Sequence, residues 1–267
     1  MSGGVRIVLI GAGRMGGALL RGWLATGVSG ADIAVIEPHP TPDLAALMHS
    51  NGVGSMPAPG AGVIVLAVKP QMMDAALDAH KSLFGEATVA LSIAAGRTMA
   101  SIEARVRAGL AVVRAMPNTP AEIGRAVTAA VSSADASDEQ KARCHALLAA
   151  VGDVVWLADE AQMDAVTAIS GSGPAYLFHF VECLTAAAVD LGLPADVAAT
   201  LARATASGAG ELLRQSPETP ARLRENVTSP GGTTAAALAV LMAEPGLRDL
   251  LADAARAAAL RARELSA

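Results

Sequence analysis

Hydrophobic positions in the first half of the chain fall in short unbroken runs. "VRIVLI" (5–10), "DIAVIE" (32–37), "GVIVLAV" (62–68), "TVALSIA" (88–94) and "LAVVRAM" (110–116) are rich in Val and Ile and too short for helices. Such runs predict buried strands. Longer mixed segments at 15–26, 42–50, 71–83 and 99–108 lie between them and predict helices. Strand alternating with helix implies parallel βαβ units, hence an α/β, doubly wound and mainly parallel sheet. A helix at 138–151 and a strand "VVWL" (154–157) close this first domain, expected over residues 1–158.

From about residue 160 the strand runs stop. Ala- and Leu-rich stretches follow, broken by "SGSGP", "LGLPAD", "QSPETP" and "SPGG", and predict an all-helical second domain over 159–267. Its segment 195–213 is apolar on more than one face. A helix of that kind must be buried on several sides. In so small a domain the cover has to come from a second copy. The expected assembly is therefore an intertwined homodimer, with a larger oligomer left open.

Composition narrows the partners. Of 267 residues 52% are hydrophobic and 2% aromatic, so a sizeable core is packed from aliphatic side chains. The net charge of -5 argues against nucleic acid, which wants a basic face. Cys144 and Cys183 are too few for a disulfide framework and suit a reducing cytosol. No apolar run approaches the roughly 20 residues of a membrane span, and the run after Arg6 is too short for a signal peptide. A soluble cytoplasmic protein is expected. The histidines at 39, 49, 80, 145 and 179 show no ligand spacing, so no metal is expected either.

The chemistry begins at "VRIVLIGAGRMGGALL". Gly11, Gly13 and Gly16 form G-x-G-x-x-G between a strand and a helix. The first glycine permits the tight turn, the second admits a pyrophosphate to the backbone, and the third packs helix on strand. The helix start at Arg14 and Met15 then offers N–H groups to the phosphates. Glu37 ends the second strand, where a carboxylate either accepts both adenosine ribose hydroxyls and repels a 2′-phosphate, or is simply a solvated loop charge. The cofactor is thus NADPH or NADH, with Glu37 leaning to NADH.

Three further loops end strands at the same edge, where ligands bind in open α/β sheets. "LAVKPQ" presents Ala67, Val68, Lys69 and Pro70, "SIAAGR" presents Ala95 and Gly96, and "RAMPNTPA" presents Asn118 and Thr119 between prolines. Asn118 and Thr119 suit the nicotinamide end, or are turn formers.

In the second domain, "ISGSGPAY" (169–176) exposes backbone either for a ligand or for a helix break. "VTSPGGTTAAAL" (227–238) puts bare backbone and two hydroxyls at a helix mouth. Read alone, it is either an anion site or a turn with Thr233 as cap.

Together "AVKP", "SIAAG", "MPNTPA", "SGSGPAY" and "VTSPGGTT" resemble, in order, the pyrroline-5-carboxylate reductases. The resemblance spans residue 11 to about 241, and its last two motifs are the most specific. It implies a Rossmann domain, an interlocking helical dimerisation domain, and NAD(P)H-dependent reduction of 1-pyrroline-5-carboxylate to L-proline, the last step of proline biosynthesis. It implies that Ser172 and Gly173 lie near nicotinamide and substrate, and that Ser229, Gly231, Gly232 and Thr233 receive the substrate carboxylate on backbone N–H groups. Thr234 matches the family threonine whose hydroxyl hydrogen-bonds the ring nitrogen. One region departs from the pattern, since "GSMPAPGAG" (54–62) lacks the Asn that members commonly place against the adenine-side ribose.

Two other readings compete. β-Hydroxyacid dehydrogenases share the domain pairing but use a lysine on the interdomain helix, and Lys141 is the last lysine here. A non-catalytic dinucleotide-binding regulator would have no use for "SGSGPAY" and "SPGGTT" together.

Overall fold

A computed structural model describes residues 6–57 and 60–266. Val5 of the first expected strand, and Ala58 and Pro59 of the 54–62 loop, lie outside the described residues. The chain divides into two compact units. The first runs to Ser172 and takes in the end of the chain from Ala258, and the second covers Gly173–Ala257.

The first unit is a seven-stranded sheet in the order β2-β1-β3-β4-β5-β6-β7. Its strands are β1 (Ile7–Ile10), β2 (Ile33–Ile36), β3 (Val63–Leu66), β4 (Val89–Ser92), β5 (Ala111–Met116), β6 (Ala126–Ser132) and β7 (Gly152–Trp156). The first five are parallel, β6 runs antiparallel to β5, and β7 is parallel to β6. The expected doubly wound, mainly parallel sheet is present. Strand β6 adds to it: three of the seven residues of "AVTAAVS" are alanine, a poor strand former, and its strand character comes from its place beside β5 and β7.

Side chains alternate between the sheet's faces. Ile7, Leu9, Val63 and Val65 pack with α1 (Arg14–Ala25), α2 (Pro42–Ser50) and α5 (Asp138–Ala149). Val8, Ile10, Ile64 and Leu66 pack with α3 (Met73–His80) and α4 (Met99–Val106) on the other face. Trp23, fully buried, donates its indole N–H to the Leu147 carbonyl at 2.8 Å and so ties α1 to α5. Arg114 on β5 is 6% exposed, and its guanidinium meets Glu160 at 2.9 Å. The same carboxylate oxygen accepts the Met99 N–H at 2.9 Å. A guanidinium this deeply buried needs such a partner.

After β7 come α6 (Met163–Val166) and a π-helical turn, Thr167–Gly171. Both stay with the first unit, anchored by buried Met163 and Ala168.

The second unit holds α7 (Gly173–Asp190), α8 (Ala195–Gln215), α9 (Pro220–Asn226) and α10 (Thr233–Leu241), and α11 (Leu247–Ser266) begins in it. Helices α7 and α8 pack on each other. No residue of α7 is buried, and α8 buries Ala198 and Ala202. Among the described residues no helix is long and apolar enough to cross a membrane.

Candidate active site

Strand order reverses between β1 and β3, and a crevice of about 400 Å³ opens there outside their carboxyl ends. Gly11, Gly13, Glu37, Ala67, Val68 and Lys69, all expected at this sheet edge, line it. The turn at Gly11 requires glycine, with φ +86° and a Cβ that would sit 2.9 Å from the Ala67 carbonyl. Nothing lies within 4 Å of a Cβ on Gly13, so this backbone is bare toward the crevice. A Cβ on Gly16 would lie 2.4 Å from the Gly11 carbonyl oxygen. Bare backbone ahead of a helix N-terminus is what a dinucleotide pyrophosphate needs, and these residues fit that group.

Glu37 does more than edge the crevice. Its carboxylate accepts the Ala12 N–H at 2.9 Å and the His39 N–H at 3.2 Å, so it braces the glycine loop from the end of β2. Arg14, exposed on the first turn of α1, forms an ion pair with Glu122 through two hydrogen bonds. The Arg14 guanidinium thereby holds the Glu122 carboxyl below the usual carboxylate range. Sequence reasoning missed the α3 wall, where Ala76 and His80, with Met72 just ahead of the helix, recur every four residues and line the crevice. That four-residue spacing was the available signal.

The other expected cofactor residues scatter more. Met15 is half-buried behind the glycine loop, and Pro70 opens a 3₁₀ turn over Pro70–Met72. Ala95 and Gly96 follow β4, and Gly96 (φ +69°) is so close to the end of the chain that a Cβ would lie 2.7 Å from the Leu265 carbonyl oxygen. Thr119 is exposed at the head of a 3₁₀ turn, whereas Asn118 is buried with both ends of its carboxamide hydrogen-bonded within the protein.

In the second unit, Ser229–Gly232 forms a turn closed by the Gly232 N–H on the Ser229 carbonyl at 3.0 Å. Gly231 has φ +70°, and a Cβ on Gly232 would meet the Ser229 hydroxyl at 2.4 Å. Helix α10 then starts with Gly232 as its cap, and no side chain caps it. Thr233 is the first helical residue, not the cap, so the capping alternative fails and its hydroxyl is exposed. The first N–H groups of any helix lack intrahelical partners and carry its positive end. Here Thr234, half-buried, stands among them. Ser172 and Gly173 are half-buried at the junction of π-turn and α7.

One unit carries the crevice at the glycine loop, and the other carries an uncharged glycine turn at the start of a helix. Comparison with known proteins gives the same pairing. Residues 6–96 match the family model for NADP oxidoreductases, coenzyme F420-dependent, and residues 160–265 match that for pyrroline-5-carboxylate reductase dimerisation. A pyrroline-5-carboxylate reductase of Pseudomonas aeruginosa is 41% identical, over 98% of this chain and 97% of its own. This chain belongs to the pyrroline-5-carboxylate reductase family. A solved reductase from Coxiella burnetii, 34% identical, superimposes with a TM-score of 0.92 over 98% of this chain and 99% of that one. One from Plasmodium falciparum with NADP bound, 26% identical, gives 0.82 over 98% of each. Among the described residues no group of three or more His, Cys, Asp and Glu side chains gathers to hold a metal.

Proposed function

We propose that this protein reduces 1-pyrroline-5-carboxylate to L-proline, drawing on NADPH or NADH, and works as a homodimer through residues 159–267. The observation that carries the reading is the cradle at Gly231–Thr234, where an anion meets backbone N–H groups and hydroxyls with no side-chain cap in the way. Its occupant is a small carboxylate. The bare glycines let the carboxylate reach the backbone, and Thr234, half-buried at the start of α10, would hold the ring nitrogen through its hydroxyl. A bound reduced nicotinamide supplies the hydride for the imine carbon. The nitrogen ends with one added proton, turning C=N into CH–NH. Thr234 is too weak an acid to be the ultimate source, so it orients the ring while solvent delivers the proton. The glycine loop, Glu37 and the α3 wall, which line the crevice, would hold the dinucleotide, with the Arg14–Glu122 pair beside the loop.

The test is oxidation of NADPH or NADH in the presence of the imine. Wild-type protein should turn it over, and Thr234→Ala should lower kcat/KM by roughly 10- to 1,000-fold, the range between one lost orienting hydrogen bond and lost help with proton transfer. Thr234→Ser should keep most activity, and cofactor binding should stay unchanged in both. Inert wild-type protein would refute the activity, and an Ala variant with wild-type kinetics would refute the role of Thr234.

A further inference from the structure

Asn118 reads in the sequence as a ligand of the nicotinamide end. In the structure its carboxamide is already committed. Oδ1 accepts the Val127 N–H at 3.1 Å and Nδ2 donates to the Ser170 carbonyl at 3.1 Å, and the residue is 8% exposed. These partners fix the amide's orientation, since a flip would set N–H against N–H and oxygen against oxygen.

The partner at Ser170 is unusual. Ser170 lies in the π-helical turn Thr167–Gly171, whose wide ring is closed by the Ser172 N–H on the Thr167 carbonyl at 2.9 Å. In an α-helix the Ser170 carbonyl would be bonded by the N–H of residue 174, and that residue is Pro174, which has none. Asn118 therefore supplies, from the loop after β5, the donor that the helix lacks. Met116 presses on the same turn, because a Cβ on Gly171 would come 2.8 Å from its terminal methyl. Single π-turns inside helices occur frequently at functional sites.

We propose that Asn118 is a positioning residue. It acts through Ser170, standing in for the N–H missing at Pro174, and so sets the backbone that leads into Ser172, which with Gly173 the family resemblance puts near nicotinamide and substrate. The catalytic part of this inference rests on the proposed function. Asn118→Asp keeps the acceptor for Val127 and sets a carboxylate oxygen against the Ser170 carbonyl. Fluorescence titration should find NADPH affinity within about threefold of wild type, because no cofactor contact is lost. Steady-state kinetics should find kcat/KM for the imine lowered by about 10- to 100-fold, with KM carrying the larger share, as expected for a misplaced substrate contact. A tenfold weaker cofactor with an unchanged imine KM would make Asn118 a direct cofactor ligand and overturn the proposal.

A second measurement needs no turnover. Pro174→Ala returns an N–H to residue 174, so Asn118→Asp should lower Tm much less in that background than in wild type, and Pro174→Ala should restore the double variant should Asn118→Asp alone fold poorly. Strictly additive losses would overturn the brace. If wild-type protein failed to reduce the imine, the functional reading would fall by itself and this coupling would still decide the role of Asn118.

Discussion

At the scale of single residues, Glu37 joins an observed brace to a proposed ribose contact, and mutation pulls the two apart. If it is the ribose ligand, its charge should favour NADH by repelling a 2′-phosphate. As a brace it holds the Ala12 N–H and thus the glycine loop that either cofactor must use. Glu37→Ser should shift preference toward NADPH by about tenfold or more, about 1.4 kcal/mol. The lost brace should also weaken NADH binding beyond what the ribose contact explains, which titration with inorganic pyrophosphate, a ligand of the glycine loop that has no ribose, would expose. Better use of NADPH than NADH by unaltered protein would refute the ribose assignment. The sequence placed Glu37 at the end of its strand. It could not show that the carboxylate also reaches back across 25 residues to the glycine loop, because that contact exists once β1 and β2 are paired. Asn118 shows the same limit more sharply. A short polar side chain between two prolines reads as a free ligand until folding sets a carbonyl beside it.

At the scale of elements, the turn from β1 into α1 separates two kinds of glycine. Helix propensity alone would favour Gly16→Ala by about 1 kcal/mol. Its Cβ, however, would lie 2.4 Å from the Gly11 carbonyl oxygen and 3.1 Å from the Ala67 Cβ, and backbone cannot rotate out of the way. Overpacking of this kind costs about 1–3 kcal/mol and outweighs the propensity gain. Gly16→Ala should therefore lower Tm and weaken cofactor binding together. Gly13→Ala meets nothing within 4 Å and should fold with nearly unchanged Tm while losing cofactor affinity, since its methyl points where a pyrophosphate would lie. Calorimetry and NADPH titration on both variants check the pair. Equal behaviour of the two would mean that the glycine spacing serves packing alone. The three glycines were legible from spacing. Which of them faces open space and which faces packed backbone followed from the atoms around each.

At the scale of the whole molecule, the helical unit exposes too much apolar surface to stand in water unpaired. In the isolated chain Leu177, Phe178, Phe180 and Leu184 of α7 are all exposed, Phe178 at 63%. Apolar patches of this extent mark protein interfaces. Sedimentation at low micromolar concentration should find dimers or larger species and no folded monomer, and a stable, active monomer would count against the dimer. The sequence by itself determined the alternation of strand and helix, the glycine fingerprint and the "SPGGTT" turn, because each depends on side-chain periodicity or on local backbone freedom. It also determined that the later helices need a partner, since an apolar circumference is a property of the helix alone. Only the tertiary structure decided that "AVTAAVS" is a strand, that Gly232 and not Thr233 caps α10, and that Asn118 serves Ser170. Each of those outcomes depends on a neighbour distant in sequence or on a turn's closure, and neither is written in the composition of the segment itself.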